Sequence, residues 1–121
     1  KQKGIYVERL RLIENEPEVL DCDFLFTPPI KELPLKVAQN SIYNYIENDL
    51  GLEISYATKE VTVERINTDL QKKLAVGDNL AVLVASHSFL SDTTPFQLTL
   101  SFHDPSKFKF VDFARRQKIK P

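Results

Sequence analysis

Cysteine and glycine are both scarce in this chain, and each scarcity excludes a class of site. Cys22 is the only cysteine, so the sequence allows no internal disulfide and no cysteine-based metal cluster, and a reducing compartment is favoured. The three glycines, Gly4, Gly51 and Gly77, lie far apart, so they cannot form a glycine-rich phosphate-binding loop. Disulfide scaffolds, cysteine–metal proteins and P-loop proteins are therefore excluded.

The chain also has no excess of charge of one sign and no long apolar run. Sixteen Lys and Arg against seventeen Asp and Glu give a net charge of -1, which argues against a large nonspecific nucleic-acid surface. No apolar run approaches the roughly twenty residues that span a bilayer, and no signal peptide is present. His87 and His103 have no further ligands at zinc-site spacing. We expect a soluble, cytoplasmic protein without a metal, a cofactor or a membrane partner.

The length of 121 residues fits one domain, spanning residues 1–121, with a core of its own. The chain does not begin with methionine, and it enters a strand pattern almost at once. We therefore expect it to be a piece of a longer protein.

The pattern of apolar residues predicts an α+β domain with a largely antiparallel sheet of about six strands and short helices. The clearest alternation is in 96–103, where Phe96, Leu98, Leu100 and Phe102 form the expected core face. The predicted strands are 5–13, 18–26, 54–66, 80–90, 96–103 and 108–113, and the predicted helices are 41–50 and 69–75.

The first two strands are expected to form a hairpin that brings opposite charges together. An odd-length loop would place Arg11 opposite Asp21 and Arg9 opposite Asp23, whereas an even-length loop would place the arginines against the apolar face. We expect the odd loop, since cross-strand charge pairs contribute about 0.2 to 1 kcal/mol each.

Arg9 and Arg11 are the first candidate binding residues. One residue separates them, so a strand places both on the same face, about 7 Å apart. Arginine binds phosphate through two parallel hydrogen bonds and stays charged at physiological pH, so this pair suggests an anionic ligand. The alternative is an exposed strand face on which Asp21 and Asp23 form ordinary ion pairs with the arginines.

Ser41 and Tyr43, at the start of the predicted helix, are the next candidates. Ser41 suits the N-cap position, where free backbone N–H groups and the helix dipole attract anions, although capping alone explains a serine there. Tyr43 could stack on a sugar or simply be half-buried. Asp21 could accept hydrogen bonds from sugar hydroxyls, but a carboxylate held ionised by arginine is a poor proton-transfer group. We therefore identify no catalytic residue.

The order of these motifs resembles the UTRA domain, the effector-binding half of GntR-type, HutC-subfamily bacterial transcription regulators. The resemblance covers nearly the whole chain and rests on Arg9-Leu10-Arg11, a turn ending in Pro17, Asp21, Ser41-Ile42-Tyr43 with its Gly51-terminated helix, the 69–74 helix before Gly77, and Pro95-Phe96 leading to Phe108-Lys109-Phe110. The segments that resemble the trehalose-operon branch of this family are 40–47, 54–57 and 110–116.

The resemblance implies a chorismate-lyase-like fold, a homodimer and a pocket for a phosphorylated sugar, with trehalose 6-phosphate as the expected effector. It implies that Arg9, Arg11 and Ser41 hold the phosphate, that Tyr43 lines the pocket, and that Asp21 accepts a sugar hydroxyl. It further implies that the first segment of the domain and a winged helix-turn-helix domain, which binds operator DNA, precede residue 1.

Three functions are consistent with these features. The first is a non-enzymatic sensor, in which a phosphosugar shifts the populations of two dimer arrangements and so changes operator affinity. The second is a lyase or hydrolase on the related fold, suggested by the arginines and nearby carboxylates. The third is a dimerisation module without a ligand, suggested by apolar, edge-prone strands. We expect the sensor.

Overall fold

The computed structural model describes residues 3–115, which form one antiparallel sheet with short helices on both faces. Arg116, the last residue of the 110–116 segment, lies outside this range. The strands are β1 (Lys3–Ile13), β2 (Glu16–Thr27), β3 (Ile54–Arg65), β4 (Leu80–Leu90) and β5 (Pro95–His103). The helices are α1 (Leu35–Ala38), α2 (Ile42–Asn44), which continues into a π-helical turn (Tyr45–Asp49), and α3 (Thr68–Leu74). No helix within 3–115 has the length and apolar character needed to cross a membrane.

The strands lie in the order β1-β2-β5-β4-β3, and every neighbouring pair is antiparallel. The predicted α+β class with a largely antiparallel sheet is confirmed. The prediction of a sixth strand at 108–113 is wrong, because this segment has no strand structure. It follows β5, whose two edges are already paired with β2 and β4, so it cannot fold back as a hairpin onto the preceding strand.

The β1–β2 hairpin places the arginines on the expected face of the sheet, but its loop length differs from the predicted one. Its loop has two residues, Glu14 and Asn15, both with positive φ, so the predicted odd loop is wrong. Glu18 is then an extra residue on β2, because Arg11 lies opposite Val19 while Leu12 lies opposite Pro17. This β-bulge restores the arginines to the face that carries Asp21 and Asp23.

Two hydrophobic clusters hold helices against opposite faces of the sheet. On one face, α1, α2 and the π-helical turn cover a cluster of Leu25, Ile30, Ile42, Tyr45, Ile46, Leu90 and Phe96. On the other face, Leu74 of α3 packs in a second cluster with Leu20, Cys22, Ile66 and Ala81. The helices of the first face cover only part of the sheet, and the candidate site lies beside them.

Candidate ligand-binding pocket

The face of the sheet that is covered by α1, α2 and the π-helical turn changes from apolar to polar along the central strands. Asp21 and Asp23 of β2 lie opposite Ser101 and Thr99 of β5. These β5 residues in turn lie opposite Val84 and Ser86 of β4. Because alternate residues of neighbouring strands point to the same face, their side chains form one floor, which is polar except at Val84.

Arg9 and Asp23 form the more deeply buried charge pair of this floor. Arg9 donates to Asp23 Oδ2 from Nη2 at 2.8 Å and from Nε at 3.2 Å. Thr99 Oγ1 and Gln97 Nε2 donate to the other carboxylate oxygen at 2.7 and 2.9 Å. The Asp23 side chain is 1% exposed and that of Arg9 is 34% exposed. The carboxylate is therefore fully partnered and holds the guanidinium at the surface of the pocket.

Arg11 and Asp21 repeat this arrangement nearer to solvent. Arg11 Nε lies 2.9 Å from Asp21 Oδ2, and Nη2 lies 3.3 Å from Oδ1, which also accepts from Ser101 Oγ at 2.6 Å. The Arg11 side chain is 56% exposed, whereas that of Asp21 is 10% exposed. The predicted pairing of each arginine with its aspartate is thus present, although each pair is diagonal in the strand register.

These residues line a polar cavity of about 320 Å³, within the range of small-molecule sites. Its lining consists of Arg9, Arg11, Asp21, Asp23, Tyr43, Lys59, Val84, Ser86, Gln97, Thr99, Ser101 and His103. An adjacent groove of about 500 Å³ reaches α1 and shares Arg9, Arg11 and Asp21 with it. The two arginines therefore stand between two concave regions.

The charge of the polar cavity favours an anion. Arg9, Arg11 and Lys59 contribute three positive charges against the two aspartates, which leaves one positive charge when His103 is neutral. Lys59 donates to Ser86 Oγ at 2.9 Å from the far side of the cavity. Hydroxyl and amide groups lie between the cations, so the cavity can bind an anionic group and neutral hydroxyls at the same time.

Tyr43 reaches the polar cavity from α2. Its hydroxyl lies 3.1 Å from Ser88 Oγ, and its ring packs edge-on against Phe96, with 6.1 Å between the ring centroids. Phe96 is an extra residue of β5, because Pro95 and Gln97 lie opposite the adjacent Phe89 and Ser88. This bulge allows buried Phe96 to pack beneath Tyr43 while Gln97 remains on the polar floor.

Ser41 occupies the predicted N-cap of α2 and accepts a hydrogen bond from the backbone N–H of Asn44 at 3.2 Å. It is not among the residues that line the polar cavity. The structure thus brings together Arg9, Arg11, Asp21 and Tyr43, while Ser41 begins the helix that carries Tyr43.

His103 lies at the Arg11 end of the cavity. Burial, as the larger cause, and the neighbouring Arg11 guanidinium lower the pKa of His103, and together they outweigh the opposing influence of Asp21 and Glu18. Its ring contacts Phe108 edge-on, with 4.9 Å between the ring centroids. A neutral imidazole offers one donor and one acceptor to a ligand, and a bound anion would favour its protonation.

Several lining residues were not identified as candidates from the sequence. Thr99 and Ser101, with Gln97 and His103, form the polar half of the alternation in β5, and such an alternation is equally typical of an ordinary solvent-exposed strand face. The sequence shows the four polar positions, but that they require polar partners follows only from the central place of β5 in the sheet. The positions of Lys59 and Ser86 depend on the long-range pairing of β3 with β4.

A second cavity, of about 460 Å³, lies on the opposite face beside α3. Its lining is largely apolar, including Phe24, Leu98 and Leu100, and its ionisable groups include the acidic Glu8 and Asp69. This chemistry does not suit an anion. Within residues 3–115, no group of three or more His, Cys, Asp or Glu side chains could hold a metal ion.

Comparison with protein families and curated proteins finds relatives of this chain among transcription regulators. The UTRA domain family model matches residues 1–109. The HTH-type transcriptional regulator TreR of Bacillus subtilis (strain 168) is 44% identical over 113 residues, which are 93% of this chain and 48% of that protein. GmuR of the same organism, also an HTH-type transcriptional regulator, is 33% identical over 104 residues, which are 85% of this chain and 44% of that protein. The chain thus spans about half the length of these relatives.

Solved structures share the fold. The effector-binding domain of the B. subtilis trehalose repressor TreR superposes with a TM-score of 0.80 at 44% identity, covering 97% of this chain and 82% of that one. A GntR-family regulator from Bacillus cereus gives a TM-score of 0.84 at 23% identity, covering 93% of this chain and 79% of that one. The second match shows the fold alone.

Proposed function

Because the chain belongs to the UTRA domain family, we propose that it is the effector-binding part of a bacterial transcription regulator and that its effector is a phosphorylated sugar. Trehalose 6-phosphate is the first candidate, since the 44% identical relative of known structure is described as a trehalose repressor. The polar cavity is the proposed binding site.

The observation that carries this proposal is that the aspartates contact only some of the nitrogen atoms of the two guanidinium groups. Within residues 3–115, the hydrogen bonds and ion pairs of Arg9 and Arg11 with the aspartates use only Nε and Nη2. Both N–H groups of each Nη1 therefore remain for a ligand. Since the aspartates already fix the orientation of the side chains, little rotamer entropy is lost when an anion binds.

The remaining candidate residues have supporting roles in this proposal. Tyr43 lines the sugar end of the cavity, and Ser41, which does not line the cavity, supports Tyr43 as the N-cap of α2. Asp21 accepts hydrogen bonds from Arg11 Nη2 and Ser101 Oγ and forms an ion pair with Arg11 Nε, which leaves room for a further donor such as a sugar hydroxyl. Its main contribution is to hold Arg11 in place.

We further propose how the domain acts within a regulator. A winged helix-turn-helix domain, N-terminal to this chain, would bind operator DNA, and two copies of the effector-binding domain would form a homodimer in the cytoplasm. The effector would alter operator affinity only through its different affinities for the two dimer arrangements. No chemical step is required of the pocket.

A thermal-shift screen tests the ligand. Trehalose 6-phosphate, glucosamine 6-phosphate and glucose 6-phosphate are compared with trehalose and with inorganic phosphate. At one hundred times its Kd, a ligand adds about 2.7 kcal/mol to the free energy of unfolding, which raises Tm by several degrees. We expect such a rise with trehalose 6-phosphate. A screen in which no phosphosugar raises Tm would contradict the proposal.

Reversible binding separates a sensor from an enzyme. Trehalose 6-phosphate incubated with the protein should remain intact by NMR after many times the period needed for binding equilibrium. Formation of glucose, glucose 6-phosphate or inorganic phosphate in proportion to protein concentration would favour a hydrolase instead.

A further inference from the structure

Lys59 brings to the polar cavity a positive charge that the described part of the chain does not neutralise. Arg9 and Arg11, the other lysine or arginine side chains in the cavity lining, each form an ion pair with an aspartate. Lys59 forms no ion pair with any residue of the range 3–115, and its ammonium group donates instead to the neutral Ser86 Oγ at 2.9 Å. The charge of Lys59 is therefore uncompensated.

Lys59 and Arg9 lie at opposite ends of one row of side chains that crosses the sheet. Arg9 donates to Asp23 on β2, which lies opposite Thr99 on β5. Thr99 lies opposite Ser86 on β4, and Ser86 lies opposite Lys59 on β3. Three strand spacings, or roughly 14 Å, separate the backbones of Asp23 and Lys59. A ligand whose phosphate is held by the arginines therefore extends its sugar toward Lys59.

The ammonium group of Lys59 is directed into the cavity. Its partner Ser86 is 8% exposed and belongs to the cavity floor, so the hydrogen bond keeps Nζ at the floor. The adjacent acidic residue Glu60 cannot neutralise this charge, because successive side chains of a strand point to opposite faces of the sheet. The uncompensated charge therefore faces the ligand.

We propose that Lys59 makes the cavity selective by charge, so that it binds phosphosugars with a neutral sugar and rejects amino-sugar phosphates. This inference rests on the proposed function and narrows its ligand class. The ammonium group of an amino sugar would face the ammonium group of Lys59, and like charges repel more strongly where a ligand has displaced water. A neutral hydroxyl meets no such repulsion, and specificity often depends on a repulsive contact with the wrong ligand.

Isothermal titration calorimetry with two pairs of ligands tests the proposal at pH 6.5, where the amino groups are largely protonated. One pair is glucose 6-phosphate and glucosamine 6-phosphate. The other is trehalose 6-phosphate and its analogue with an amino group in place of the 2-hydroxyl of the unphosphorylated glucose. In each pair whose hydroxyl member binds the unaltered protein, the amino member should have a Kd at least tenfold higher.

The Lys59→Met variant assigns this discrimination to the lysine. Methionine removes the charge and keeps an unbranched side chain, so the ratio of the two Kd values should fall below threefold. Lys72→Met removes an exposed lysine from α3, on the opposite face, and is the matched control that should keep the full ratio. If Lys59 acted only by holding Ser86, its loss would change both Kd values by the same factor. An unchanged ratio in Lys59→Met would thus overturn the proposal.

Reversal of the charge provides a second variant at the same exposed position. Lys59→Glu should invert the preference, so that the amino member of each pair binds more tightly than the hydroxyl member. Continued preference for the hydroxyl member would contradict the proposal.

The unaltered protein gives two further outcomes that are easily distinguished. Equal or tighter binding of the amino member, as expected if its ammonium group were drawn to Asp21, would overturn selectivity by Lys59. Failure of the proposed function looks different, because the unaltered protein would then bind neither member of either pair.

Discussion

At the scale of single residues, the two arginines of the pocket differ in how deeply their partner carboxylates are buried. Arg9 neutralises a carboxylate that is 1% exposed, whereas Arg11 pairs with one that is 10% exposed. Removing one partner of a buried ion pair leaves an uncompensated charge, and this cost falls as solvent reaches the remaining group. We therefore expect the loss of Arg9 to lower stability more than the loss of Arg11 does.

We predict that Arg9→Ala lowers the free energy of unfolding by on the order of 3 kcal/mol, at the low end for buried pairs because Arg9 is itself partly exposed. Arg11→Ala should cost less than half as much. Urea denaturation measures both, with exposed Arg65→Ala on β3 as the control. Equal losses for the two variants would show that the difference in burial has no energetic effect.

His103 makes stability depend on pH. Because its pKa is lowered in the folded protein, the unfolded chain binds the proton more readily, and stability falls as pH drops below the usual histidine pKa of about 6.5. The free energy of unfolding should therefore be smaller at pH 5.5 than at pH 7.5, and His103→Gln should reduce this difference.

His87→Gln, at an exposed position of β4, is the matched control for His103→Gln. Urea denaturation at the two pH values provides the measurement. If His103→Gln retained the full pH dependence of the unaltered protein, the assignment to His103 would be wrong.

At the scale of secondary-structure elements, the sequence predicted most of the strands because their alternation is regular. It did not predict α1, whose four residues are too few to show helical periodicity. The bulges at Glu18 and Phe96 were also missed, because a single extra residue leaves no pattern in the sequence. Both bulges help to form the polar cavity, so its outline depends on features that the sequence does not display.

Substitutions of Ser41 test how the start of α2 contributes to binding. Ser41→Ala should cost about 1 kcal/mol of stability through loss of the cap, whereas Ser41→Gly should cost only a few tenths. If the hydroxyl also contacts the phosphate, both variants should weaken trehalose 6-phosphate by a similar factor. Calorimetry measures the affinity for trehalose 6-phosphate, and unfolding curves measure the stability of each variant. Wild-type affinity in Ser41→Gly would restrict Ser41 to capping.

At the scale of the whole molecule, the exposed apolar surface bears on assembly. Val61 and Val63 are exposed on the edge strand β3, and Phe110, Val111 and Phe113 are exposed in the segment after β5. Long edge strands with apolar side chains tend to pair with other chains, and large exposed apolar residues favour association. The segment predicted as a sixth strand is thus apolar without belonging to the sheet of its own chain.

We predict that Val63→Lys weakens the proposed homodimer at least tenfold, since it places a charge in the apolar edge. Glu64→Lys, the adjacent exposed residue, adds a lysine on the opposite face of the strand and is the control. Sedimentation equilibrium measures both. A dimerisation constant that is unchanged in Val63→Lys would exclude this edge from the interface.

The central claim is that the arginine-lined polar cavity binds a phosphorylated sugar, and one calorimetric comparison tests it most directly. Trehalose 6-phosphate is titrated into the unaltered protein, into Arg11→Gln and into the control Arg65→Gln. Glutamine at position 11 can still donate to Asp21 but has no charge for the phosphate. We predict saturable binding to the unaltered protein and to Arg65→Gln, and at least tenfold weaker binding to Arg11→Gln. Equal affinity for all three proteins would contradict the claim.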